Sequence, residues 1–313
     1  MPKIFYATDV HGSEVCWRKF LNAGPFYKAD LLILGGDITG KAIVPIVESD
    51  GKWETTLQEY HEVLESEEEV QAIEKKIINR GYYPARMSRE EYLALKGDEK
   101  LVDAKFKEVM LATVERWMSI AEEKLAGKDI RCFLCPGNDD MFEVDKVIEK
   151  SNEVEMGEAR TLDVGGFTMV SMGWTNPTPW NTYREAPEEK LRERIDRMLK
   201  DAPDFRRTIF NFHAPPYGSN LDEAPALDAD MKFIAGGRAM RAVGSKAVRD
   251  SIMEYQPLMS LHGHIHESKG GVKLGKTLAV NPGSAYEEGT LQAAIIDLDP
   301  KKLRIKNYQL VNG

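Results

Sequence analysis

The chain has 313 residues, 42% of them apolar and 30% charged, enough for one large domain with a sizeable core. No run approaches the roughly 18 consecutive apolar residues of a membrane span, and a strand pattern begins at once at the N-terminus, so neither a membrane anchor nor a signal peptide is expected. The net charge of −9 works against a nucleic-acid partner, and three cysteines, an odd number, argue against a disulfide framework and for a reducing, cytoplasmic setting.

Residues 3–8 show a short apolar strand pattern, followed over 13–23 by a helical one with Ser13 placed to cap it. Residues 31–34 are wholly apolar, as suits a strand buried on both faces, and Gly35-Gly36-Asp37 ends them. Site-like motifs are scarce from about 39 to 126. Residues 62–80 are dense in Glu, Lys and aliphatics with Gly81 behind them, and Ser88 and Glu91 fit a capping box. Phe106, Val109, Met110, Thr113, Trp117, Ile120 and Ala121 then recur at helical spacing. A helical insertion at about 45–127 is therefore expected, with the acidic run 65–69 as a solvated face and His61 at the surface.

Residues 129–135 read as a strand that delivers Pro136-Gly137-Asn138, with a helix over 141–150 behind it. The second half is rich in strand patterns, at 158–164, 167–172, 208–212, 258–261, 275–280, 291–297 and 303–310, with helices at 187–199 and 240–255. Strands interleaved with helices, then antiparallel pairs, predict two packed mixed β-sheets flanked by helices in a single α/β domain over 1–313. Cys132 and Cys135 lie three apart in an apolar strand, on opposite faces, and are expected in the core rather than in a redox or zinc motif.

Four of the six histidines fall in one ordered series. It runs Asp9-Val10-His11, Gly36-Asp37, Gly137-Asn138-Asp139-Asp140, His213, and Gly263-His264-Ile265-His266. Apart from His213, each member adjoins a glycine or ends an apolar run, as a site gathered at the C-terminal edge of a sheet does. Imidazole mixed with carboxylate suits Mn, Fe, Zn or Ni, whereas Ca²⁺ and Mg²⁺ take oxygen. Asp9, His11, Asp37, Asn138, His213, His264 and His266 are more candidate ligands than one ion needs, so two divalent transition-metal ions sharing a carboxylate are expected. Asp37 is the natural bridge. Asp9 and His11 lie two apart, as do His264 and His266, so on an extended backbone each pair shares a face. His262 has no slot in the pattern and is read as structural. Trp174, Asn176, Trp180 and Tyr217 lie in loops expected near the site and are candidates for holding the organic part of a substrate.

In this order the motifs DxH, GD, GN, H and GHxH resemble those of the calcineurin-like metallophosphoesterase superfamily, over residues 9–266 and on to Asn281-Pro282-Gly283-Ser284. The stretches around His213-Ala214-Pro215-Pro216-Tyr217 and Gly173-Trp174 are similar to the branch of Icc-related phosphoesterases. The resemblance implies a four-layer α/β/β/α sandwich. It puts Asp9, His11, Asp37 and His266 on one ion, and Asp37, Asn138, His213 and His264 on the other, with manganese as first choice. It implies a phosphoesterase acting on a small phosphate ester, in which a metal-bridging hydroxide attacks phosphorus in line and Asp37, Asn138, His213 and, in the place of the usual histidine, Asp139 belong to the catalytic centre.

One position departs from the pattern. Most members carry a histidine directly after the asparagine, to protonate the leaving group or to stabilise charge on the phosphate; here it is Asp139. An ionised carboxylate does neither. It is left to be protonated, to hold a metal-bound water, or to cap the following helix, and the cap is favoured for at least one of Asp139 and Asp140. Some smaller members that lack the histidine resemble phosphodiesterases, so a phosphodiesterase is expected over a monoesterase. A non-catalytic metal-binding scaffold, and less readily a nuclease, are the alternatives.

Overall fold

Alternation of apolar side chains in the first two strands sets the layering. In the computed structural model, which describes residues 1–200, 204–228 and 230–313, β1 (Lys3–Ala7) and β2 (Leu31–Leu34) pair in parallel. They are joined by α1 (Glu14–Tyr27). Ile4, Tyr6, Leu31 and Ile33 point into one core, and Phe5, Ala7, Leu32 and Leu34 into another on the opposite face.

After β2 the chain leaves this sheet. β3 (Ile43–Ser49), β4 (Lys52–Leu57) and β5 (Tyr60–Leu64) make an antiparallel meander, α2 (Glu67–Asn79) crosses back, and β6 (Tyr83–Ser88) pairs in parallel with β3. Then come α3 (Arg89–Gly97) and α4 (Glu99–Leu125), and β7 (Arg131–Leu134) rejoins the sheet beside β2. α5 (Glu143–Ile148) and β8 (Val154–Met156) complete this half.

The second sheet is built from β9 (Thr161–Asp163), β10 (Thr168–Met172), β11 (Thr208–Phe212), β14 (Met259–Leu261), β15 (Gly270–Leu274) and β16 (Thr277–Asn281). Between them run α6 (Glu188–Leu199), the two-stranded ribbon β12 (Glu223–Pro225) and β13 (Met240–Ala242), and α7 (Lys246–Tyr255). β17 (Gln292–Asp299) and β18 (Arg304–Asn312) return to the first sheet. The orders are β18-β17-β1-β2-β7-β8 and β15-β16-β14-β11-β10-β9.

The two sheets share a core of Ile4, Tyr6, Phe133, Met169, Ile209, Leu261, Ile296 and their neighbours. Trp17 and Phe20 of α1, Trp117 of α4 and Ile148 of α5 cover the outer face of the first sheet. Leu191 and Ile195 of α6, with Val248 and Ile252 of α7, cover the second. These are the four layers, α/β/β/α.

The segment between β2 and β7 carries the expected helices, and the Ser88–Glu91 capping box is formed in both directions. Its first third is sheet instead. Asp50 and Gly51 have φ of 51° and 77°, the left-handed pair of a tight hairpin turn, and this forces Ile43–Ser49 and Lys52–Leu57 together. Val44, Ile46, Leu57 and Leu64 of that sheet then bury against Val70, Ile73 and Ile77 of α2. The helix read from residue 240 begins at Lys246; Met240–Ala242 pairs with Glu223–Pro225, and Ser245 caps the helix by accepting from Val248 N at 3.2 Å. Ser13 holds the N-cap position of α1, but its hydroxyl donates to Asn79 O at 2.7 Å, so it ties α1 to α2. Cys132 and Cys135 are buried, and His61 is exposed on β5. No helix among the described residues is long and apolar enough to cross a membrane.

Candidate metal centre

Parallel strands bring their C-terminal ends to one edge, and each motif of the ordered series follows such an end. Asp9 and His11 follow β1, Asp37 follows β2, Asn138 follows β7, His213 follows β11, and His264 and His266 follow β14. The loops are pinned to one another by backbone bonds: Asp9 N to Gly36 O at 2.9 Å, His11 N to Asp37 O at 3.0 Å, and Gly263 N to His213 O at 3.0 Å. Asp9, His11, Asp37 and His264 have φ of 52°, 39°, 49° and 68°. A left-handed backbone costs a residue with a side chain on the order of 1 kcal/mol or more, and four such residues in one site mark it as held by its surroundings. At Gly36 (φ 143°) a Cβ would overlap the His213 ring, so only glycine lets the two loops approach.

The side chains meet in two groups, Asp9 with His11 and His266, and Asp37 with His213 and His264. His266 Nε2 lies 3.3 Å from Asp9 Oδ1 and 3.1 Å from His11 Nε2. Two ligand nitrogens on one ion with bonds of about 2.1 Å stand roughly 3.0–3.4 Å apart, so the His11–His266 spacing matches a shared ion. His213 Nε2 is 3.3 Å from Asp37 Oδ2 and 3.7 Å from Asp9 Oδ1, and Asp37 Oδ2 is 3.6 Å from His11 Nε2, which puts Asp37 between the groups.

Several donors are oriented with a lone pair left over. His213 donates from Nδ1 to Gly35 O at 3.2 Å, and its Nε2 is buried without a hydrogen-bond partner among the described residues. Asn138 spends its amide N–H groups on Thr182 Oγ1 (2.9 Å) and Asp139 Oδ1 (3.1 Å), and its Oδ1 is buried and unpartnered among the described residues. Buried acceptors are rarely left unmet. Asp9 accepts from Thr8 Oγ1 at 2.7 Å and from His264 N at 3.0 Å, which holds its carboxylate in place. Oxygen and nitrogen lone pairs converging without partners fit divalent transition-metal ions.

Charges follow from this crowding. Burial works to raise Asp9 and Asp37, but His213 and the other rings hold both below the usual carboxylate range. Burial works to lower His213, yet Asp37 and Asp9 raise it to about 9. Burial, followed by the His213 charge, lowers His264 to about 4, and burial with the nearby Lys41 lowers His11 to about 3.

Asp139 and Asp140 divide the work differently from a helix cap. The N-cap position of α5 is Phe142, which makes no side-chain cap, so that expectation fails for both aspartates. Asp140 is buried and clamps two loops, accepting from Thr39 N (2.8 Å), Ile38 N (3.0 Å) and Gly137 N (2.7 Å). Asp139 faces the cleft, pairs with Lys41 Nζ at 3.2 Å and stands 3.9 Å from His11 Nδ1. Burial and Asp37 raise its carboxyl to about 6.

A cleft of about 1330 Å³ opens over the site. Asn176, Trp180 and Tyr217 line it, but Trp174 does not: it turns to a separate depression, where the Arg194 guanidinium lies 3.8 Å over its ring. His262 donates from Nδ1 to Phe212 O at 2.8 Å and sits outside both groups, in a structural place. Sequence reasoning passed over Lys41, Thr182 and Arg184. Arg184 is 1% exposed and binds Asp145 Oδ1 at 2.6 Å and Asp140 O at 3.2 Å, bracing the Asn138 loop from behind. Ser284, in the closing motif, donates to Asp9 O at 2.6 Å.

No protein-family model matches the chain. An uncharacterized protein of Methanocaldococcus jannaschii, MJ1162, is 32% identical over 165 residues, which covers 51% of this chain and 68% of that protein. One solved structure superposes with a TM-score of 0.58 at 16% identity, covering 99% of both chains. TT1561 of Thermus thermophilus superposes with a TM-score of 0.52 at 15% identity, over 100% of this chain and 98% of that one. A phosphatase from Mycoplasma pneumoniae overlaps more loosely, with a TM-score of 0.45 at 11% identity, over 100% of this chain and 93% of that one. The structural likeness is one of fold. With a relative matched over two thirds of its length, the chain belongs to one family with MJ1162, and its ordered motifs converge as the resemblance to the calcineurin-like metallophosphoesterases implies.

Proposed function

We propose that the protein is a metal-dependent phosphoesterase with a dinuclear centre, acting on phosphodiesters in preference to monoesters. The observation that carries this reading is the pair of groups, Asp9–His11–His266 and Asp37–His213–His264, with Asp37 between them and the unpartnered Asn138 Oδ1 beside them. Asp9, His11, Asp37 and His266 would hold one ion, and Asp37, Asn138, His213 and His264 the other, with manganese as first choice. When bound, such ions supply Lewis acidity toward phosphoryl oxygens and make water acidic enough to act near neutral pH.

The chain's own residues supply the rest. Gly35 O and the Asp9 carboxylate fix the His213 ring and the His264 backbone, so the site is organised before substrate arrives. Pro177, Trp180 and Tyr217 line one side of the cleft, and Asn176, Trp180 and Tyr217 are placed to hold the organic group of a small phosphate ester. No histidine follows Asn138, and Asp139 is held by Lys41. Little proton donation to a poor leaving group is then available, which favours diesters with good leaving groups.

The test is hydrolysis of bis-p-nitrophenyl phosphate and p-nitrophenyl phosphate by chelator-stripped protein, before and after Mn²⁺ is added, with bound metal counted. Restored turnover with the diester ahead is expected. Bound Mn²⁺ without turnover of either compound would leave a metal-binding scaffold.

A further inference from the structure

Four residues past Asp37 the chain places a cation at the mouth of the site. Lys41 lines the cleft beside Asn138 and Asp139, its side chain 52% exposed, its ammonium 3.2 Å from Asp139 Oδ2. The backbone before it has no freedom. Gly40 N donates to Tyr83 Oη at 2.7 Å, and Thr39 Oγ1 donates to Asp140 Oδ1 at 2.7 Å. Tyr83 is 1% exposed and is the first residue of β6, so one anchor of this loop belongs to the inserted sheet and the other to the metal-site loops.

We propose that Lys41 is a catalytic residue of the phosphoester site: its ammonium binds non-bridging oxygens of the substrate phosphate, Asp139 acts as its positioning residue, and the inserted sheet is its mount. The inference rests on the phosphoesterase reading above. A lysine is a compact charge with three donors, suited to phosphate oxygens. Free in solvent it gives up side-chain entropy when fixed, and the Asp139 contact restricts it before substrate binds. The carboxylate that replaces the customary histidine thus holds a cation where a phosphate must pass, instead of meeting the phosphate directly.

A simpler role competes: Lys41 could serve only to neutralise Asp139, which would otherwise repel an anion. The two separate in a double substitution. The probe is inorganic phosphate, titrated calorimetrically into full-length Mn²⁺-loaded protein, with KM and kcat for bis-p-nitrophenyl phosphate measured in parallel. Lys41→Met is expected to weaken phosphate binding and raise KM by about 10- to 100-fold, with Lys41→Arg recovering most of the loss. The double variant Lys41→Met with Asp139→Asn is expected to stay weak. Recovery of phosphate affinity in the double variant would show that only neutralisation was lost and overturn the proposal. So would a Lys41→Met protein that binds phosphate like the parent, or one that no longer retains Mn²⁺. A parent protein that loads Mn²⁺ and binds no phosphate overturns the phosphoesterase reading itself, and this inference with it.

Discussion

At the scale of single residues the centre is a set of competing proton and metal sites. His264 and His11, lowered to about 4 and 3, are already neutral at pH 7 and offer their lone pairs without a proton to lose. His213 is different. Asp37 and Asp9 raise it to about 9 against the pull of burial, so in the metal-free protein it is protonated at pH 7. A metal must displace that proton. The group is protonated below its raised value and neutral above it, so Mn²⁺ affinity rises with pH, by about tenfold per unit for one proton, and levels off above about 9. His266 is raised too, by Asp9 against the pull of burial, and its proton competes with metal in the same way. Calorimetry at pH 7 in buffers of different ionisation enthalpy should report about one proton released as the His213 site fills; no proton release, with affinity flat from pH 7 to 9, would contradict this account.

Between residues and the whole fold stand the elements that aim the site. α1 begins directly after His11-Gly12-Ser13, and its Trp17 stacks on Trp117 of α4 with ring centroids 5.1 Å apart and planes 2° from parallel. Both indoles are buried, and neither N–H meets an acceptor among the described residues. Trp117→Ala therefore loses a full buried aromatic, roughly 3–5 kcal/mol. Trp117→Phe removes an unsatisfied donor along with part of the area, and should cost under about 2 kcal/mol. Urea unfolding of the two variants checks the ordering, and a Phe variant as unstable as the Ala variant would refute it.

The same level shows what a one-dimensional reading can reach. The residues that converge at the candidate site were legible because each follows a strand end and most adjoin a glycine. The inserted meander was not: Lys52 to Leu64 is rich in glutamate and in residues that suit either state, and the deciding signal was the two-residue turn at Asp50-Gly51. Lys41 and Arg184 carry no pattern at all. Their places arise only when Tyr83 and Asp139, or Asp140 and Asp145, fold against them. Trp174 faces away from the cleft because α6 brings Arg194 over its ring.

For the molecule as a whole, the site is where the two sheets meet. Asp9, His11, Asp37 and Asn138 come from the first sheet, and His213, His264 and His266 from the second. Each proposed ion would take ligands from both, so metal would cross-link the two halves of the sandwich as well as serve chemistry. It would also offset carboxylates in a chain whose net charge is −9. A ligand that binds only the folded state stabilises it by about 2.7 kcal/mol at a hundredfold excess over Kd, so two filled sites add roughly 5 kcal/mol. For 313 residues each kcal/mol moves the midpoint by roughly 1.5 °C, and Mn²⁺ should raise Tm over the chelator-treated protein by about 8 °C. Because Asp37 lies between the groups, Asp37→Asn should abolish most of that gain, whereas His264→Ala, from the opposite sheet, should remove about half. Equal losses from the two variants would mean one site rather than two. An Asp37→Asn protein that keeps the full metal-induced shift would remove Asp37 from the bridge.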